Sequence, residues 1–78
     1  MIKIASIPAN IKEIEGYIDQ IFSEYRLDRK IYPNVLISLT EAVNNAMIHG
    51  NRLDEKKYVC LTTILKKHKL CFKISDEG

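Results

Sequence analysis

Lys57-Tyr58-Val59-Cys60-Leu61-Thr62-Thr63-Ile64-Leu65-Lys66, then Lys67-His68, then Lys69-Leu70-Cys71-Phe72-Lys73-Ile74-Ser75, reads as two strands joined by a two-residue turn. That turn sets Leu65 opposite Leu70, Thr63 opposite Phe72 and Leu61 opposite Ile74. These mostly apolar pairs share one face. Cys60, Thr62 and Lys73 fall on the other. A sheet with one apolar face must bury it, so helices are expected there. The same register puts Cys60 opposite Ser75 and Cys71 opposite Ile64, so no internal disulfide is expected.

Upstream, Ile2 to Ile7 alternates weakly, is rich in Ile and reads as a short strand stopped by Pro8. Asn10, with Glu13 three residues on, resembles a capping box. Ile11, Ile14, Ile18, Ile21, Phe22 and Tyr25 recur at helical offsets, which predicts an amphipathic helix over 10–25 despite Gly16. A polar connection follows over 26–32. Pro33 suits the first turn of a second helix running to about His49, with Gly50-Asn51 as its stop. Val35, Leu36, Leu39, Val43, Ala46 and Met47 form its apolar face. Ile37 and Ile48 lie opposite, which predicts cover on more than one side.

Seventy-eight residues allow one small domain and a marginal core. A net charge of +2 is too weak to imply nucleic acid or membrane. No apolar run has the length of a membrane span, and the first residues have no secretory apolar stretch. Two isolated thiols fit a reducing compartment, so a cytoplasmic location is expected. Lys66, Lys67, His68 and Lys69 read as a solvated hairpin turn, or else as a contact for an acidic partner. His68 has no neighbours at zinc-ligand spacing.

Glu41 and Asn45 are one helical turn apart and so share a face, with Asn44 adjacent and Ser38 and His49 near its edge. A carboxylate and an amide oxygen at that spacing suit Mg²⁺, which fills its remaining positions with water and phosphate oxygens. The carboxylate can also serve as a base toward a hydroxyl attacking a phosphate. The plain alternative is a solvated polar edge. Asp76-Glu77-Gly78 follows a strand directly. Continuing the alternation Leu70, Phe72, Ile74, Asp76 is expected to point toward the helix-covered face, where it needs a hydrogen-bond donor. An adenine amino group is one such donor, and Gly78 would let the backbone pass close to a base. The plain alternative is a β-turn.

Taken together, Glu41-Ala42-Val43-Asn44-Asn45-Ala46-Met47-Ile48-His49-Gly50-Asn51, a hairpin, and Ile74-Ser75-Asp76-Glu77-Gly78 resemble the start of the gyrase, histidine-kinase and mismatch-repair (GHKL) ATPase superfamily. The nearest likeness is to bacterial anti-sigma factors that are serine-protein kinases. The resemblance implies an α+β two-layer sandwich, with helices on one face of a mixed, mainly antiparallel sheet. This is the Bergerat-type ATP-binding fold, here truncated to the N-terminal portion (residues 1–78) of one histidine-kinase-like domain. It implies ATP and Mg²⁺ as ligands. Glu41 matches the catalytic base, Asn45 the Mg²⁺ ligand, Asp76 the adenine-binding carboxylate and Gly78 the first glycine of that loop. Asn44, Ala46, His49 and Gly50 match pocket-adjacent positions.

The complete protein is then expected to hold a sigma factor and to phosphorylate a serine of its antagonist, with a second copy as homodimer partner. The nucleotide lid and later glycine-rich loop are not in this stretch. Negligible kinase activity and poor stability are therefore expected of residues 1–78 alone. Two rivals stand beside this reading: a non-catalytic ATP- or partner-binding module, and the ATP-binding domain of a sensor histidine kinase.

Overall fold

The structure, a computed structural model, describes residues 1–67 and 69–78. The chain runs β1 (Ile2–Ala5), a 3₁₀ turn (Pro8–Lys12), α1 (Glu13–Glu24), a second 3₁₀ turn (Arg29–Ile31), α2 (Tyr32–Asn45), a π-helical turn (Ala46–Gly50), β2 (Tyr58–Lys66) and β3 (Lys69–Ser75). The strand order is β1-β2-β3, and both pairings are antiparallel. The hairpin register is the expected one: Leu65 faces Leu70, Thr63 faces Phe72 and Leu61 faces Ile74. Cys60 and Cys71 are free thiols opposite Ser75 and Ile64. The part of the predicted turn at His68 lies outside the described residues.

Both helices cover one face of this sheet, giving an α+β two-layer fold. Alternation sends Ile4, Val59 and Leu61 inward. They meet Ile14, Ile18 and Phe22 of α1, Leu39 and Val43 of α2, and Met47 in one buried cluster. Each such side chain contributes about 1.5–3 kcal/mol relative to exposure. The Tyr17 hydroxyl lies 2.7 Å from Thr63 Oγ1 and ties α1 to β2. Phe22 and Tyr32 meet edge to face, with ring centroids 5.2 Å apart.

Four expectations need correction. The segment 10–25 is not one α-helix, because Pro8 starts a 3₁₀ turn that continues to Lys12. No capping box forms at Asn10. That residue already sits inside the turn, and its amide donates back to the Ala5 carbonyl at 3.4 Å. Tyr25, expected on the apolar stripe, is exposed because α1 ends at Glu24. Ile37 and Ile48 are also exposed: α2 packs through one face, and nothing among the described residues covers the other. The radius of gyration is 12.5 Å, against about 11.5 Å for a compact chain of this length. The excess matches a hairpin whose far end, at Ile64 and Leu65, extends past the helices into solvent.

Candidate functional site

The last turn of the second helix sets the geometry. Over Ala46–Gly50 the helix widens into a π turn, in which the Asn51 N–H donates to the Ala46 carbonyl at 2.8 Å. Such turns are uncommon and recur at functional positions. The chain then reverses through two residues with left-handed backbone, Arg52 (φ 51°) and Leu53 (φ 57°). This delivers it to β2.

The loop after β3 returns to the same place. A Cβ at Gly50 would overlap the Asp76 carboxylate, and a Cβ at Gly78 would overlap the Gly50 carbonyl. Glycine at both positions therefore lets the Asp76–Gly78 loop lie directly on the end of the helix. The Gly78 N–H donates to Asp76 Oδ1 at 3.0 Å.

Asn51 holds this contact. It is 1% exposed. Its amide N–H groups donate to Ser6 Oγ (2.8 Å) and to the Tyr58 carbonyl (3.0 Å). Its carbonyl oxygen accepts the Glu77 N–H at 2.7 Å. Ser6 Oγ in turn donates to the Lys57 carbonyl, and the Glu77 carboxylate accepts the Tyr58 N–H. One buried amide thus joins the end of β1, the start of β2, the end of the second helix and the loop after β3. Sequence reasoning read Asn51 only as a helix stop. Nothing local marks it as buried, since its partners lie 7 to 45 residues away in the chain.

The predicted residues divide into two groups. Asp76 and Gly78 lie against Gly50, next to His49, so the structure brings the loop and the helix end together. Glu41 and Asn45 lie farther back along the exposed side of α2, with Asn44 half-buried beside them. At about 1.5 Å per residue, Glu41 is about 14 Å along the axis from Gly50 and Asn45 about 8 Å. Glu41, Asn45 and His49 are exposed, and no protein hydrogen bond to their side chains occurs among the described residues.

Asp76 departs from expectation in one respect. It is aimed at the helix end but stays exposed. β3 ends at Ser75, and the alternation that would have buried Asp76 ends with it. One carboxylate oxygen accepts the chain's own Gly78 N–H, and the other, Oδ2, lies against Gly50. A cavity of about 420 Å³ opens elsewhere, between α1 and the sheet, lined by Ile2, Tyr17, Gln20, Glu24, Tyr25 and Thr63 among others. It contains none of the predicted site residues.

The family model of the histidine kinase-like ATPase domain matches residues 4–78. The chain belongs to this family. No curated protein and no solved structure matches the chain. Membership implies ATP binding, and with it a kinase or ATPase chemistry. The donor set fits that ligand. The exposed Asp76 carboxylate has acceptor lone pairs beyond the one that takes the Gly78 N–H, and one amide and one carboxylate on α2 would be the sparse protein share that Mg²⁺ takes when phosphates supply other oxygens. No group of three or more His, Cys, Asp or Glu poised for a metal occurs among the described residues. No helix among them is long and apolar enough to cross a membrane.

Proposed function

We propose that this chain is the N-terminal portion of an ATP-binding regulatory domain whose nucleotide lies along the exposed side of α2. Asp76 accepts the adenine amino group at the Gly50 end. Asn45 and Glu41 serve the phosphate end, with Asn44 and His49 along the edge of the site. The observation that carries the reading is the contact of Asp76 and Gly78 with Gly50. It sets the loop at the end of the same helix whose open side bears Asn45 and Glu41.

The complete protein, on this reading, is a serine-protein kinase acting on an anti-sigma antagonist, and it sequesters a sigma factor as a homodimer. The resemblance of 41–51 and 74–78 to anti-sigma kinases supports that finer assignment. In the transfer, Glu41 takes the proton from the substrate serine as its oxygen bonds to the γ-phosphorus. The bond from phosphorus to the β,γ-bridging oxygen breaks, and ADP leaves. Mg²⁺, held through Asn45, would neutralise phosphate charge when bound.

The full-length protein tests the assignment. Titration with MgATP should show binding, and the ligand should raise the Tm because it binds only the folded state. Asp76→Asn should weaken ATP binding about tenfold or more, since it swaps an ionised acceptor for an amide. Glu41→Ala should leave ATP affinity within about threefold and reduce phosphate transfer at least about a hundredfold. Unchanged affinity in Asp76→Asn would remove the adenine role. Equal losses of binding and transfer in Glu41→Ala would remove the base. ATP binding without transfer to any serine substrate would favour the non-catalytic module.

A further inference from the structure

The helices cover one face of the sheet and leave the other open. Residues 56–75 hold six of the chain's twelve Lys and Arg and none of its ten Asp and Glu, which leaves the rest of the chain at −4. The pairing register sorts four lysines onto the open face. Val59, Leu61 and Ile4 point inward, so alternation turns Lys3, Lys66, Lys69 and Lys73 outward. All four are exposed, and none pairs with a carboxylate among the described residues. Lys66 and Lys69 stand directly opposite each other across the strands. Like charges in that position repel. Tyr58 and Ile64 stand on the same face, 40% and 45% exposed, and Lys3 Nζ lies 5.0 Å above the Tyr58 ring.

We infer that this open face binds an extended acidic polypeptide segment, with its carboxylates on the lysines and an apolar side chain on Ile64. The length of the face along β2 fits an extended segment. From Tyr58 to Lys66 the face is about 27 Å long, and three strands make it about 10 Å wide. The chemistry favours polypeptide over nucleic acid. The face carries no Arg, so it lacks the planar fork that grips phosphate. Among the described residues its one aromatic ring, Tyr58, lies under Lys3 Nζ, which leaves no open base-stacking platform there. The −4 elsewhere on the chain also repels a long polyanion.

The test uses the full-length protein and fluorescence anisotropy at low salt, where exposed charges are least screened. The probe is a labelled peptide alternating Glu with Leu and Thr, about eight residues long so that it spans the face when extended. Duplex DNA of equal charge and phosphatidylserine–phosphatidylcholine vesicles run in parallel. Lys66→Glu, Lys69→Glu and Lys73→Glu combined should weaken peptide binding by about tenfold or more. The control Lys12→Glu, Arg26→Glu and Lys30→Glu carries the same net charge and should change it by no more than about twofold.

The face variant replaces a like-charge pair with an opposite one at 66 and 69 only if one of them stays lysine. The single Lys69→Glu variant is therefore the folding check, and its Tm should rise by about 2–4 °C. If the triple reversal unfolds, Lys66→Gln, Lys69→Gln and Lys73→Gln together should still weaken binding by about threefold or more. Absence of peptide binding by the unmodified protein, equal loss in face and control variants, or tighter binding to DNA or vesicles than to peptide would each overturn the inference.

Discussion

The two ends of the β2–β3 hairpin are built from the same two strands and held in opposite ways. At the near end, Asn51 reaches Ser6, Tyr58 and Glu77 from a site shut off from water, and Glu77 returns a bond to Tyr58. At the far end, Ile64 and Leu65 are more than two-fifths exposed, Lys66 opposes Lys69, and Lys67 takes a left-handed backbone at φ 47°. Near the clamp, the strands gain from side-chain bonds to Asn51, one buried and two part-buried, that water competes with only weakly. Near the tip they have ladder bonds and little else. Stability should therefore fall along the hairpin, and regions of low local stability open independently of the rest. The proposed nucleotide loop lies at the stable end. This suits a site whose acceptor, Asp76, must hold its position before the ligand arrives.

Asn51→Ala should give the largest effect. It removes three side-chain hydrogen bonds and leaves the Glu77 N–H and the Tyr58 carbonyl short of a partner. The expected loss is about 2–4 kcal/mol, from three lost hydrogen bonds, one buried and two part-buried. Urea unfolding of the full-length protein measures it, with Leu65→Ala at the tip as the comparison. The tip variant should lose less than about 1 kcal/mol, because its side chain is already part-exposed. Equal losses at the two positions would break the contrast between the two ends.

Gly50→Ala sharpens the same contrast. Its Cβ would take the space of the Asp76 carboxylate, so either the loop shifts or the helix end does. The expected cost is about 1–3 kcal/mol. MgATP affinity should fall along with stability, because Asp76 is displaced from its position at the helix end. Gly16→Ala is the control. It has open space around its Cβ position and sits within a helix, so it should stabilise by about 0.5–1 kcal/mol and leave ATP binding alone. An ATP affinity untouched by Gly50→Ala would detach Asp76 from the proposed site.

The parts of this fold that follow from periodicity were legible in the sequence. The hairpin register followed from placing Leu61, Thr63 and Leu65 against Ile74, Phe72 and Leu70, because a one-residue slip would have turned every apolar side chain to the other face. The core stripe Ile14, Ile18, Phe22 followed from helical spacing. The helix start at Asn10 was misread because a local capping pattern competed with Pro8, and the proline set the backbone first. Ile37 and Ile48 were misread because apolar residues on two sides of a helix imply cover without naming what supplies it. For the site, Glu41 and Asn45 were legible as a shared face, whereas Asn51 was not. An amide after a glycine is the ordinary end of a helix, and only contacts distant in the chain make it a buried hub.

The smallest effect belongs to the turn at the far end. Lys67 holds φ 47°, where its Cβ crowds the backbone. Lys67→Gly removes that crowding and one charge from a cluster with no carboxylate, while it frees the unfolded chain. The first two effects stabilise and the third opposes them. The net should be a gain of about 0.5 kcal/mol, read as a Tm rise of about 2–4 °C. Because Lys67 lies at the opposite end of the hairpin from Asp76, MgATP affinity should stay within about twofold of the unmodified protein. A Lys67→Gly variant that gained stability but lost nucleotide affinity would mean that strain at the tip reaches Asp76 through β3, and the two ends of the hairpin would then act as one unit.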